Sequence, residues 1–131
     1  MFRLASILMA RILLVEDDAL MLSVLSLSLR RAGHTVLTAS NVQQARAVMA
    51  TNKIDVLVSD LTLPDRDGDE LAAGCPVPAI AMSGLDGDDA SKRSARAGFA
   101  RHLAKPFELE ELLEAVRQLT SAAPQSESTG S

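Results

Sequence analysis

Aromatic side chains are nearly absent from this sequence. Its 131 residues hold three Phe and neither Tyr nor Trp. That scarcity argues against a surface on which nucleic-acid bases stack, and against an aromatic sugar site. Cysteine is scarcer still. Cys75 stands alone, so no internal disulfide forms and no Cys-rich zinc site can be built; Cys75 itself reads as inert. His34 and His102 are the only histidines, which disfavours a His-based metal centre. Positive charge is not in excess, and a net charge of −4 gives no general attraction to nucleic acid or to anionic lipid. Long apolar runs are missing too. "MFRLASILMARILLV" resembles a signal peptide at first sight, but Arg11 breaks the run and no small-residue cleavage site follows. The uninterrupted stretch is far too short to cross a bilayer. These absences describe a reduced, cytoplasmic protein with no membrane insertion and no direct contact with nucleic acid.

What is present alternates between two periods. "RILLV", "HTVLTA", "IDVLVSD", "PAIAMSG" and "ARHLA" are short apolar runs of the kind buried on both faces of a parallel sheet. Between them lie helical stretches. "LSLSL" alternates like a strand, yet Leu22, Leu25 and Leu29 recur at helical spacing. Arg30 and Arg31 precede the stop signal Gly33, so Ala19–Ala32 is predicted as a helix with Asp18 as its cap. Asn41 with Gln44 makes a capping box for the second helix. A polar helix is expected around Asp88–Ala97, ending at Gly98. The last helix carries Leu109, Leu112, Leu113, Val116 and Leu119 on one face. Strands alternating with helices imply an α/β fold with a parallel sheet. One domain is expected over residues 10–120. Met9 looks like a natural start, so residues 1–9 read as an N-terminal extension. Residues 121–131, "SAAPQSESTGS", lack an apolar period and read as a disordered tail or linker.

Ligands of open parallel sheets bind where strands end. Glu16, Asp17 and Asp18 follow the first strand, Asp60 the third, Ser83 and Gly84 the fourth, and Lys105 with Pro106 the fifth. Several carboxylates on one rim stay ionised only beside a cation. Oxygen ligands point to Mg²⁺ or another hard ion. A carboxylate can also act as a nucleophile and form an aspartyl phosphate, given a metal, an ammonium and a hydroxyl to take up the developing charge.

"ILLVEDD", "VSDLTLPDRDG", "AMSG" and "LAKPF", in that order and each after a predicted strand, resemble the receiver domain of two-component response regulators. The resemblance spans about residues 10–120. It implies a flavodoxin-like, doubly wound, five-stranded parallel sheet in the order 2-1-3-4-5, with helices on both faces. It implies Asp60 as phosphoacceptor, and Glu16 and Asp17 as the acidic pair that holds Mg²⁺, with Asp18 a third acid beside them. Asp60 and the backbone carbonyl of Thr62 would complete the metal set. Ser83 matches the switch hydroxyl, Lys105 the lysine on the phosphoryl group, and Lys105-Pro106 the family's cis peptide. His102 falls where the family carries a switch aromatic. The implied partners are a sensor histidine kinase or a histidine phosphotransfer protein. A downstream protein is a possible partner on the face of the fourth helix, fifth strand and fifth helix. The chain would be a stand-alone receiver, or one cut from a longer regulator or hybrid kinase. It would catalyse only its own phosphorylation and dephosphorylation.

The sequence also departs from the family. "DELAAGCPVP" is roughly two turns short of a full third helix, at about 3.6 residues per turn, and Gly74 and Pro76 would stop a longer one. The third helix is therefore expected to be short or missing. Thr62 and Leu85 offer no amide or acid to orient an attacking water, which predicts slow loss of phosphate. Lys92, Arg93, Arg96 and Arg101 read as a solvated basic face, or else as a docking surface for an acidic partner. The first helix has apolar residues to spare, which serve the core or a partner. The competing function is a phosphate-independent, receiver-like binding module. A Mg²⁺-dependent phosphohydrolase is disfavoured, because Thr62 stands where its catalytic acid would be. A flavodoxin-like cofactor site is disfavoured too, since acids occupy its phosphate loop.

Overall fold

The computed structural model describes residues 9–84 and 87–130, with backbone alone for residue 87 and for 121–130. Most of the expected N-terminal extension, and Leu85, lie outside the described residues. Five strands, β1 (Arg11–Val15), β2 (Thr35–Ala39), β3 (Val56–Asp60), β4 (Ala79–Ser83) and β5 (Arg101–Ala104), alternate with five helices. These are α1 (Ala19–Arg31), α2 (Val42–Thr51), α3 (Asp69–Ala72), α4 (Gly87–Ala97) and α5 (Leu109–Gly130). The sheet order is β2-β1-β3-β4-β5, and every neighbouring pair is parallel. This is the expected flavodoxin-like topology.

Strand alternation divides the core in two. Ile12, Leu14, Val56, Val58, Ile80 and Met82 face Leu25 and Leu29 of α1 and Leu112 and Val116 of α5. Leu13, Val15, Leu57, Ala79 and Ala81 face Val42 of α2, Leu71 of α3 and Ala90 of α4. Both sides of β3 and β4 are fully buried, which is why these strands read as continuous apolar runs.

Local signals set the ends of the helices. Asp18 Oδ1 accepts from the Leu20 and Met21 N–H groups, at 3.0 and 3.1 Å. Asn41 Oδ1 accepts from the Gln44 N–H at 2.8 Å. Gln44 Oε1 reaches one residue further back than a capping box requires, to the Ser40 N–H at 2.9 Å. Gly33 and Gly98 hold φ of 105° and 110° just past α1 and α4, a left-handed conformation that a side chain would strain. The third helix is one four-residue turn, as its length predicts. The backbone of α5 runs to Gly130, past Leu119, the last residue of its apolar face.

Two features of the fold generate tests. Gly68 has φ −63°, so conformation does not demand a glycine there; space does. A Cβ at Gly68 would stand 2.0 Å from the Asp60 carbonyl oxygen and 3.1 Å from Ser59 Oγ. Gly68→Ala is expected to destabilise the fold by about 1–3 kcal/mol through overpacking, read from urea unfolding. An unchanged midpoint would show that the strand end yields freely.

His34 Nδ1 accepts from the Ala10 N–H at 3.1 Å, ahead of β1. Burial holds the pKa of His34 below the ordinary histidine range, and does the same to His102. The neutral rings therefore favour the folded state. Their contribution is complete above the unfolded histidine pKa, roughly 6.5, and is lost as the pH falls from there through the lower folded values. The urea midpoint should drop between pH 7.5 and 5.5, and His34→Asn should flatten part of that slope.

Candidate functional site

The carboxyl ends of β1, β3 and β5 converge. Glu16 follows β1 and is 1% exposed, while Asp60 closes β3 at 7%. Lys105 follows β5 and reaches both. Its Nζ lies 2.8 Å from Glu16 Oε1 and 2.8 Å from Asp60 Oδ2. The other carboxylate oxygens are held by backbone amides. Glu16 Oε2 accepts from the Asp18 N–H at 3.1 Å, and Asp60 Oδ1 from the Thr62 N–H at 3.2 Å. The Lys105 N–H donates to the Ser83 carbonyl at 2.7 Å, which fixes where the lysine arm departs, and the Lys105-Pro106 peptide is cis.

Burial and pairing act against each other here. Burial pushes the Glu16 carboxyl up, and its hydrogen bonds from Lys105 and the Asp18 N–H offset this only in part. For Lys105 burial acts downward, but the hydrogen bonds to Asp60 and Glu16 outweigh it and hold the ammonium above the ordinary lysine range. Oxygens of Glu16, Asp17 and Asp60 lie within 4.8 Å of one another, with Asp17 on the exposed side. Three carboxylates against one ammonium leave a surplus of negative charge, and the donors are all oxygen. Such a set suits a hard divalent ion that keeps several waters.

Of the residues singled out from sequence, Glu16, Asp17, Asp60 and Lys105 meet. Ser83 is buried at the end of β4, one residue beyond Met82, the register partner of Asp60. Thr62 is on the chain leaving Asp60. His102 stands apart from the acids: it is in register with Ala81, on the α4 side of the sheet. Its Nε2 is buried and has no hydrogen-bond partner among the described residues. Asp18 serves as the α1 cap.

Arg93 is not the solvated member of a basic face that its neighbours suggest. Its guanidinium forks onto Asp69, with Nη2 at 2.8 Å from Oδ1 and Nε at 2.9 Å from Oδ2, and its Nη2 also donates to the Leu61 carbonyl at 3.1 Å. Asp65, in the loop that follows β3, accepts from the Val42 and Gln43 N–H groups at 2.9 and 3.0 Å. The hydrogen bond from Val42 leads the causes that hold its carboxyl low. Neither tie has a local signal, since 24 and 23 residues separate the partners. Only the shortness of α3, which leaves its neighbours within reach of this loop, hints at them.

The sequence matches the response regulator receiver domain over residues 12–117. It is 32% identical over 127 residues to the response regulator protein FleR of Pseudomonas aeruginosa, covering 92% of this chain and 27% of that protein. It is also 32% identical over 120 residues to a 14.6 kDa protein of Leptolyngbya boryana, covering 86% of this chain and 92% of the relative. The solved receiver domain protein of Methanospirillum hungatei superposes with a TM-score of 0.83 at 25% identity, over 90% of this chain and 98% of that one. The chain thus spans little more than a quarter of FleR, and most of the two shorter proteins. With the match running from β1 into α5, on this sheet order, the chain belongs to the response regulator receiver domains of two-component signalling.

Proposed function

We propose that the chain is a signalling phosphoacceptor in which Asp60 takes a phosphoryl group from a sensor histidine kinase or a histidine phosphotransfer protein. The observation that carries this reading is the Lys105 ammonium, 2.8 Å from both Asp60 and Glu16 at the strand ends. An oxygen of Asp60 attacks phosphorus in line. The bond from phosphorus to the donor imidazole breaks, and its electron pair leaves with the nitrogen. Glu16, Asp17, Asp60 and the Thr62 carbonyl would hold Mg²⁺, which when bound neutralises charge on the phosphoryl oxygens. Lys105 contributes a positive charge, half-buried and already held between the two carboxylates. The Ser83 hydroxyl donates to the modified group and, in doing so, draws the end of β4 inward.

His102 answers that movement. Its unpartnered Nε2 leaves the ring without a polar anchor, so a change in packing over β4 and β5 is free to move it. The face of α4, β5 and α5 is then the surface that reads the modification, with Lys92, Arg96 and Arg101 available to an acidic downstream partner. No helix among the described residues is long and apolar enough to cross a membrane. We place the protein in the cytoplasm, where such kinases present their phosphohistidine.

Intact mass after incubation with acetyl phosphate tests the reading. A gain of one phosphoryl group that requires both Mg²⁺ and Asp60, absent in Asp60→Asn, is expected. No gain in the folded wild-type protein would overturn the proposal in favour of a phosphate-independent binding module. The phosphorylated form should also be long-lived, because neither Thr62 nor Leu85 offers an amide or acid side chain to orient a water for attack. A half-life of seconds in Mg²⁺ buffer would contradict that.

A further inference from the structure

One side chain ties the loop that leaves Asp60 to helix α4. Besides its fork onto Asp69, Arg93 Nη2 donates to the Leu61 carbonyl at 3.1 Å and lies 3.5 Å from Asp67 Oδ1. Three residues between 61 and 69 therefore face a single guanidinium. The contact with Leu61 is different in kind from the others. The Leu61 C=O and the Thr62 N–H belong to one planar peptide unit. That N–H donates to Asp60 Oδ1 at 3.2 Å. A rigid plane thus has a cation at its carbonyl end and the acceptor carboxylate at its amide end.

Two physical effects follow. The plane transmits orientation, because turning its carbonyl also turns its amide. A cation on the carbonyl also polarises the unit and makes the N–H a better donor to a carboxylate. Lys105 grips Asp60 Oδ2, and the Thr62 N–H holds Oδ1, so the carboxylate is fixed at both oxygens. A simple clamp between α3 and α4 would need only the fork onto Asp69. The Leu61 carbonyl would be satisfied without Arg93, since it already accepts from the Gly68 N–H at 2.8 Å. The added donor serves orientation rather than satisfaction.

We propose that Arg93 is a positioning residue for Asp60, acting through the Leu61–Thr62 peptide and linking the carboxylate's orientation to α4. This rests on the reading of Asp60 as phosphoacceptor. Any displacement of α4 carries the guanidinium with it, and any reorientation of the Asp60 carboxylate is felt at α4.

The full chain with Arg93→Met is compared with Asp69→Asn. Both lose the α3–α4 ion pair, but only Arg93→Met loses the donor to Leu61. At saturating Mg²⁺ and acetyl phosphate, Arg93→Met should react roughly fivefold to tenfold more slowly, less than the about hundredfold loss that a full 1 Å misplacement can cause. Asp69→Asn should stay near the wild-type rate, although urea unfolding shows both variants weakened. In the metal-free protein the Thr62 amide resonance should move in Arg93→Met and hold in Asp69→Asn. A wild-type rate with an unmoved Thr62 resonance in Arg93→Met would overturn the proposal, and so would equal slowing in Asp69→Asn. Arg93→Lys, which keeps a charge but cannot span both partners, carries the same comparison if Arg93→Met does not fold. The Thr62 resonance needs neither metal nor phosphodonor. Should the wild type take up no phosphoryl group, the acceptor reading fails while the resonance still decides the role of Arg93.

Discussion

Two buried carboxylates share one ammonium, and the layout of the sheet serves that contact. Glu16 and Asp60 stand at the ends of neighbouring strands and would repel each other in a medium that screens poorly. Lys105 resolves the conflict from β5, two strands beyond Asp60. Its arm departs beside the end of β4, where the Lys105 N–H donates to the Ser83 carbonyl at 2.7 Å. β4 thus anchors the lysine while contributing no charge to the triad. Removing Lys105 would leave two buried carboxylates uncompensated, a far larger penalty than the net worth of either pair.

The same contact explains why the site suits a doubly charged cation rather than a neutral ligand. One ammonium cannot balance three carboxylates. Glu16 carries the conflict most plainly, since burial pushes its carboxyl up while its hydrogen bonds act the other way. A hard cation beside Asp17 would relieve that conflict without disturbing the strands.

Much of this was legible in the sequence because the relevant signals are local. Apolar runs of five or so residues, each ending in an acid, a hydroxyl or a lysine, place Glu16, Asp60, Ser83 and Lys105 on one rim once the sheet is known to be parallel. Asp18, Asn41, Gly33 and Gly98 mark helix ends through chemistry confined to a few residues. The lack of length between Gly68 and Pro78 was enough to predict the stunted α3. What stayed hidden depends on distance along the chain. Asp65 caps α2 from 23 residues away, and nothing near it distinguishes it from Asp67. Arg93 sits among Lys92 and Arg96 in a stretch that looks uniformly solvated. Gly68 looked like any loop glycine until the approach of the Asp60 carbonyl was known.

The short α3 changes how the acceptor loop is held. A full helix would pin residues 61–69 by burying an apolar face. Here one turn contributes Leu71 and Ala72 to the core, and the rest of the work falls to polar ties. Asp65 joins the loop to the start of α2, and Arg93 joins it to α4. Arg66 and Arg46 both reach Glu70, at 3.1 and 3.2 Å. The pairs on Glu70 are exposed and worth little in water. The Arg93 fork is better sheltered and bidentate, and such geometry carries direction as well as energy. Apolar packing tolerates small slides of one element past another, whereas a fork onto a carboxylate tolerates little rotation. Exchanging helix turns for directed hydrogen bonds therefore couples the loop more tightly to α4, the helix nearest the proposed output face, than burial alone would.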